Sequence, residues 1–185
     1  MEITGSARKK FYFPASQETA FHYLGDVSQM MSLFPTVTIE TQSTLPSGEP
    51  AYRLRYESQE MGVYLVTVFC DAFLSLAPDQ TRLSLLPIQD ADNPFAPVKP
   101  KVGSNGAVAI GKFNLNVGFE PESEAKTIVD YQLSIKTFLE LGGFFNFMPK
   151  SLIEGMVAPL ASDRLKDVVD RFIIDAVTTY RKNAK

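Results

Sequence analysis

Apolar and polar residues alternate along most of the first 140 positions, and the alternation yields to helical spacing only near the end. Tyr52, Leu54 and Tyr56 alternate with Arg53 and Arg55. Phe113, Leu115, Val117 and Phe119 alternate with Lys112, Asn114 and Asn116, and Val129, Tyr131, Leu133 and Ile135 with Asp130, Gln132, Ser134 and Lys136. A period of two marks a strand with one dry and one wet face. It predicts strands over residues 3–13, 37–43 and 81–88, and two long strands, 107–120 and 126–140, around the polar turn 121–124. Residues 63–76 are apolar at successive positions, which predicts a central strand covered on both faces. Ser16 is placed to cap a helix through residue 26 with Ala20, Phe21 and Leu24 on one face. A second short helix over 27–34 is stopped by Pro35.

From residue 151 to 182 the period changes. Leu152, Met156, Leu160, Leu165, Val169, Phe172, Ile173, Ala176 and Tyr180 fall on one side, with Asp163, Lys166, Asp167, Asp170 and Arg171 opposite. This is one long amphipathic helix, and Pro159 is expected to kink it. Strands followed by a single long helix predict an α+β domain. In it, a curved antiparallel sheet of about six to seven strands wraps around the C-terminal helix, with two short helices after the first strand. The 185 residues suit a single domain, 1–185, and contain no internal repeat.

In such an arrangement Tyr56, Phe113, Leu115, Phe119, Tyr131, Leu133 and Ile135 point at Met156, Leu160, Val169, Phe172 and Ile173. These residues either line an apolar cavity, with Tyr56 or Tyr131 as a polar handle, or pack together as a filled core. The stretch before the helix, Leu141-Gly142-Gly143-Phe144-Phe145-Asn146-Phe147-Met148-Pro149, joins two glycines to four large apolar residues. Gly142 and Gly143 would hinge a gate or a membrane-facing tip carrying Phe144, Phe145, Phe147 and Met148, or the stretch plugs the end of the barrel. Residues 89–106 are rich in Pro, Gly, Asn and Asp and predict a long loop, with Asn93-Pro94-Phe95 as the opposite lip.

Composition narrows the chemistry. A net charge of -3 supplies no basic field for nucleic acid. One cysteine and one histidine exclude an internal disulfide and Cys/His zinc sites. The N-terminus is polar, no apolar run reaches the roughly 18 residues a membrane span needs, and no Asn-x-Ser/Thr sequon occurs, so the expected location is cytoplasmic. Residues 106–112 have the spacing of a phosphate loop, but Phe113 follows where Ser or Thr is required and no helix comes next. Arg8, Lys9 and Lys10 precede aromatics, yet a strand splits them between its faces. His22 lacks an orienting partner in sequence, and Cys70 reads as a small buried hydrophobe. Asp71 and Asp130 have Arg53, Arg55, Lys112 and Lys136 as cross-strand partners. No catalytic, metal or cofactor motif emerges.

The element order, the approach to the first helix over 14–24, Leu33-Phe34-Pro35 after the second, and the closing helix together resemble the helix-grip fold of the START-like (SRPBCC) superfamily. That superfamily includes the birch-pollen allergen and polyketide cyclases, and the resemblance covers nearly the whole chain. Asp163-Arg164-Leu165 through Arg171-Phe172 is similar to a family of cyanobacterial and plastid proteins within it. The resemblance implies an apolar cavity between sheet and long helix for lipids, sterols, polyketides, hormones or quinones, and no shared catalytic residues. The expected function is binding or transport of a hydrophobic small molecule of lipid, prenyl or pigment-like kind. Two alternatives are a cyclase or dehydratase using Tyr131, Asp71 or His22, and a membrane-surface or protein-interaction module without an internal ligand.

Overall fold

The longest alternating runs become the longest strands. In the computed structural model, β7 (Gly106–Ser123) and β8 (Lys126–Phe138) pair antiparallel from Gly111 opposite Thr137 to Ser123 opposite Lys126. The other strands are β1 (Glu2–Phe13), β2 (Val37–Thr44), β3 (Pro50–Glu60), β4 (Tyr64–Leu76), β5 (Arg82–Pro87) and the two-residue β6 (Lys101–Val102). The structure describes all residues except 35, 61, 141, 144–146, 148 and 185, and only the backbone of 60 and 150–160.

The sheet has eight strands in the order β1-β8-β7-β5-β4-β3-β2, with β6 paired to β7. The eighth strand is β6, which lies inside the loop expected over 89–106. One pairing departs from the antiparallel expectation. β7 first runs parallel to β4, with Gly106 to Gly111 beside Leu65 to Cys70, and joins β5 only from Leu115 onward. Gly111 permits this approach, because a Cβ there would lie 2.9 Å from both Cys70 Sγ and Val68 Cγ1.

The two short helices α1 (Gln17–Gly25) and α2 (Val27–Ser32) follow β1. Ser16 Oγ accepts from Thr19 N at 3.3 Å, and Asp26 caps α2 by accepting from Gln29 N at 3.0 Å. α3 (Lys150–Asn183) runs as one helix across Pro159. It lies against the dry face of the sheet near the β1 edge. Gly5 makes this possible, since a Cβ there would come within 2.6 Å of Leu165 Cδ1. Lys9 Nζ reaches Asp170 at 2.6 Å and Tyr23 Oη donates to the carbonyl of Ala176 at 3.3 Å, fixing the helix at both flanks.

The main core forms between sheet and helix. Leu115, Val117, Val129, Tyr131, Phe172 and Ala176 are all inaccessible to solvent. β4 is apolar on both faces because the opposite face is covered too. There Leu45, Ala51 and Ile88 form a second cluster with Phe73 and Phe95.

Candidate functional site

Side-chain alternation carries Tyr131 of β8 to the inner face opposite Val117. Its ring meets Phe172 of α3 at 4.9 Å, and Phe172 stacks on Phe34 at 4.6 Å with the planes 5° apart. Further along the helix Phe13, Tyr23 and Tyr180 contact one another at 4.8 to 5.3 Å. Aromatic rings therefore fill the interior beneath the C-terminal half of α3.

Within this apolar packing the Tyr131 hydroxyl is buried and has no hydrogen-bond partner among the described residues. Burial alone pushes its ionisation far up, so it is a neutral phenol with an unused donor. A buried hydroxyl left unsatisfied costs about 1 to 3 kcal/mol.

Of the residues nominated as lining, Phe113, Leu115, Phe119, Tyr131, Leu133, Val169 and Phe172 are buried in the same cluster, with Tyr56, Ile135 and Ile173 partly buried against it. The side chains of Met156 and Leu160 lie outside the described residues. A depression of about 430 Å³ opens along β1, β7 and β8, with Pro87 and Ser162 of α3 at its margin, and among the described residues Ile135 is its one nominated lining residue.

At the nominated gate, Gly142 is buried and its N–H donates to Tyr64 Oη at 3.1 Å. Both glycines answer a close approach. A Cβ on Gly142 would lie 2.6 Å from Val102 Cγ1, and one on Gly143, at φ +60°, would strike the carbonyl of Ser104. Phe147 is 87% exposed. Phe144, Phe145 and Met148 lie outside the described residues.

The loop reading needs a correction. Asn93, Pro94 and Phe95 do not form a lip opposite the gate. The loop crosses the other face of the sheet, held by a half-buried ion pair. Arg53 Nε and Nη2 each donate to Asp71 carboxylate oxygens at 2.7 Å, and Asn93 Nδ2 donates to the same carboxylate at 2.8 Å. Arg53 Nη1 reaches the carbonyl of Ala96 at 2.8 Å, and the guanidinium lies 5.1 Å from the Phe95 ring centroid. The signal missed was in β4, whose outward Phe73 demanded a cover that only a neighbouring loop could supply.

The polar candidates do not converge. Asp71 faces the loop, on the opposite side of the sheet from Tyr131, and His22 is exposed on α1. Cys70 is buried, which pushes its thiol up to about 12, with the neighbouring Asp71 charge acting in the same direction. Arg8 and Lys9 point to opposite faces, to Asp130 and Asp170 respectively. The Arg8 hydrogen bond holds the Asp130 carboxyl below its usual range.

No family model matches the chain. No curated protein matches it in sequence. Solved structures do match its shape. A START superfamily protein from Mycobacterium smegmatis superposes with a TM-score of 0.51 at 14% identity, covering 95% of this chain and 98% of that one. A di-domain aromatase/cyclase of the steffimycin biosynthetic pathway gives 0.53 at 12% identity, over 98% of this chain and 52% of the other. Norcoclaurine synthase from Thalictrum flavum, solved with dopamine and hydroxybenzaldehyde, gives 0.50 at 10% identity, over 100% and 90%. With the eight-stranded sheet, the two short helices and the long closing helix, the chain has the START-like helix-grip fold.

Proposed function

We propose that the protein binds a hydrophobic small molecule, of lipid, prenyl or pigment-like kind, between the sheet and α3. The observation that carries this reading is the unpartnered Tyr131 hydroxyl, buried on an otherwise apolar inner face. A ligand whose polar end accepts from Tyr131 removes the desolvation penalty that the hydroxyl otherwise bears. Phe113, Leu115, Phe119, Leu133, Ile135, Val169, Phe172 and Ile173 contact its apolar body, with Tyr56 at the margin. Burial of apolar surface drives binding, at roughly 25 cal/mol per Å². The ligand exchanges at the end marked by Gly142 and Gly143, where opening breaks the bond from Gly142 N to Tyr64 Oη. The proteins of like shape support this reading, since one is named for the START superfamily and another was solved with two small aromatic molecules.

The test is organic extraction and mass spectrometry of protein purified from its own source, beside displacement of a hydrophobic fluorescent dye. A stoichiometric co-purifying molecule whose retention falls in Tyr131→Phe supports the reading. An empty protein that also binds no dye rejects it.

The exposure of Phe147 favours a further element, transient contact of the 142–148 tip with a membrane. Liposome co-sedimentation that is unchanged in Phe147→Ser rejects that contact.

A further inference from the structure

The polar positions of β1, β7 and β8 carry a row of donors, most of them without an acceptor among the described residues. Lys112 on β7 stands directly opposite Lys136 on β8, and Thr4 on β1 stands opposite Lys136. On the next rung Ser134 lies between Ser6 and Asn114. These six residues belong to the lining of the 430 Å³ depression, which Gly5, Pro87, Ile135 and, from α3, Ser162 complete.

Like charges directly opposite on neighbouring strands destabilise a sheet, so the lysine pair works against the local fold. Little offsets it. Glu2 meets Lys136 at 3.0 Å in a contact more than half exposed on both sides, and such pairs are weak and readily exchanged. Lys112 has no ion pair or hydrogen bond among the described residues, nor do the hydroxyls of Thr4, Ser6 and Ser134. The amide of Asn114 is oriented by a relay. Ser84 Oγ donates to Asn116 Oδ1 at 2.7 Å, and Asn116 Nδ2 donates to Asn114 Oδ1 at 2.8 Å. With its oxygen engaged, Asn114 presents its Nδ2 hydrogens as the free end of the chain.

We propose that this depression binds an oxyanion, a phosphate or sulfate group borne by a small molecule or by a lipid headgroup. Lys112 and Lys136 supply compact positive charges, and their mutual repulsion turns into shared attraction once a dianion lies between them. Thr4, Ser6 and Ser134 hydroxyls and the Asn114 amide complete a ring of donors around it. A site of this kind in a chain of net charge -3 is local.

The experiment titrates the isotope-labelled full chain with inorganic phosphate, using chloride at matched ionic strength as the control, and follows amide shifts. Saturable shifts are expected at residues 4, 6, 112, 114, 134 and 136. Lys112→Gln/Lys136→Gln is expected to weaken phosphate binding by about tenfold or more, the loss of at least one charge-assisted bond. Its melting temperature should be equal or higher, because the like-charge pair is gone. Ser134→Ala is a milder variant that weakens binding without touching charge. A second arm compares vesicles of phosphatidylcholine alone with vesicles containing phosphatidic acid. Lysine-dependent sedimentation with phosphatidic acid identifies a headgroup as the source, and phosphate binding without sedimentation identifies a soluble ligand. Shifts that match chloride, spread over all basic residues, or persist unchanged in the double variant overturn the proposal.

Discussion

Replacing Tyr131 by Phe removes one oxygen and no packing. The hydroxyl is buried without a partner among the described residues, so its removal abolishes a desolvation penalty of about 1 to 3 kcal/mol. The Phe172 contact at 4.9 Å and the Phe172–Phe34 stack are retained. Stability should therefore rise, and for a chain of this length each kcal/mol moves the melting temperature by about 2 to 4 °C. The same substitution should weaken the proposed ligand by about 0.5 to 1.5 kcal/mol, a net hydrogen bond, or roughly two- to tenfold in affinity. Calorimetry of delipidated wild type and Tyr131→Phe, followed by dye displacement, reads both signs. A delipidated variant less stable than wild type would refute the reasoning, because it would mean that the hydroxyl is satisfied in the empty protein.

Gly5→Val should destabilise by about 1 to 3 kcal/mol through overpacking against Leu165, and Leu165→Ala should restore part of the loss in the double variant, measured by urea denaturation. Asp71→Asn breaks the bidentate contact to Arg53 and should lower stability by about 3 kcal/mol, while limited proteolysis appears within residues 89–100; an uncut loop would show that Phe95 packing alone holds it. Cys70 should react with a thiol reagent only as fast as the protein unfolds. Its folded pKa is raised, so the stability linked to it is complete below the unfolded value and is lost as pH rises from about 9 toward about 12, by up to about 1.4 kcal/mol per pH unit. Cys70→Ala should flatten that alkaline slope in a pH series of denaturation curves.

Much of this architecture is legible in the chain because strand period, caps and prolines act locally. Ser16 caps α1, and the inner positions of β7 and β8 face the helix as their alternation requires. What was not legible depends on distant partners. The parallel pairing of β7 with β4 arises because β5 is only six residues long, leaving the remaining length of β7 to find another edge. The place of Phe95 follows from a bare apolar surface on β4, yet the polar composition of residues 89–106 resembles any surface loop. Gly142 and Gly143 read as a hinge from sequence, and the close approach of both to residues 102–104 depends on a loop course that no local pattern carries. Tyr131 was nominated as a polar handle, but its lack of a partner is a property of everything packed around it and no single sequence carries that signal.

The pairing of β1 with β8 sets the order in which the protein is made. Among the described residues β1 joins the sheet only along β8, through twelve pairs from Glu2 opposite Phe138 to Phe13 opposite Thr127. On the ribosome, the first strand emerges more than a hundred residues before its partner, an interval on the order of 10 s at common elongation rates. During that time Phe11, Tyr12 and Phe13 have no sheet to join, and closing so long a loop is slow. Arg8, Lys9 and Lys10 flank the aromatic run and keep a waiting strand from pairing with another chain. Arg8 meets Asp130 and Lys9 meets Asp170 only at the end, so two of the charges that guard the nascent chain later fasten the finished one.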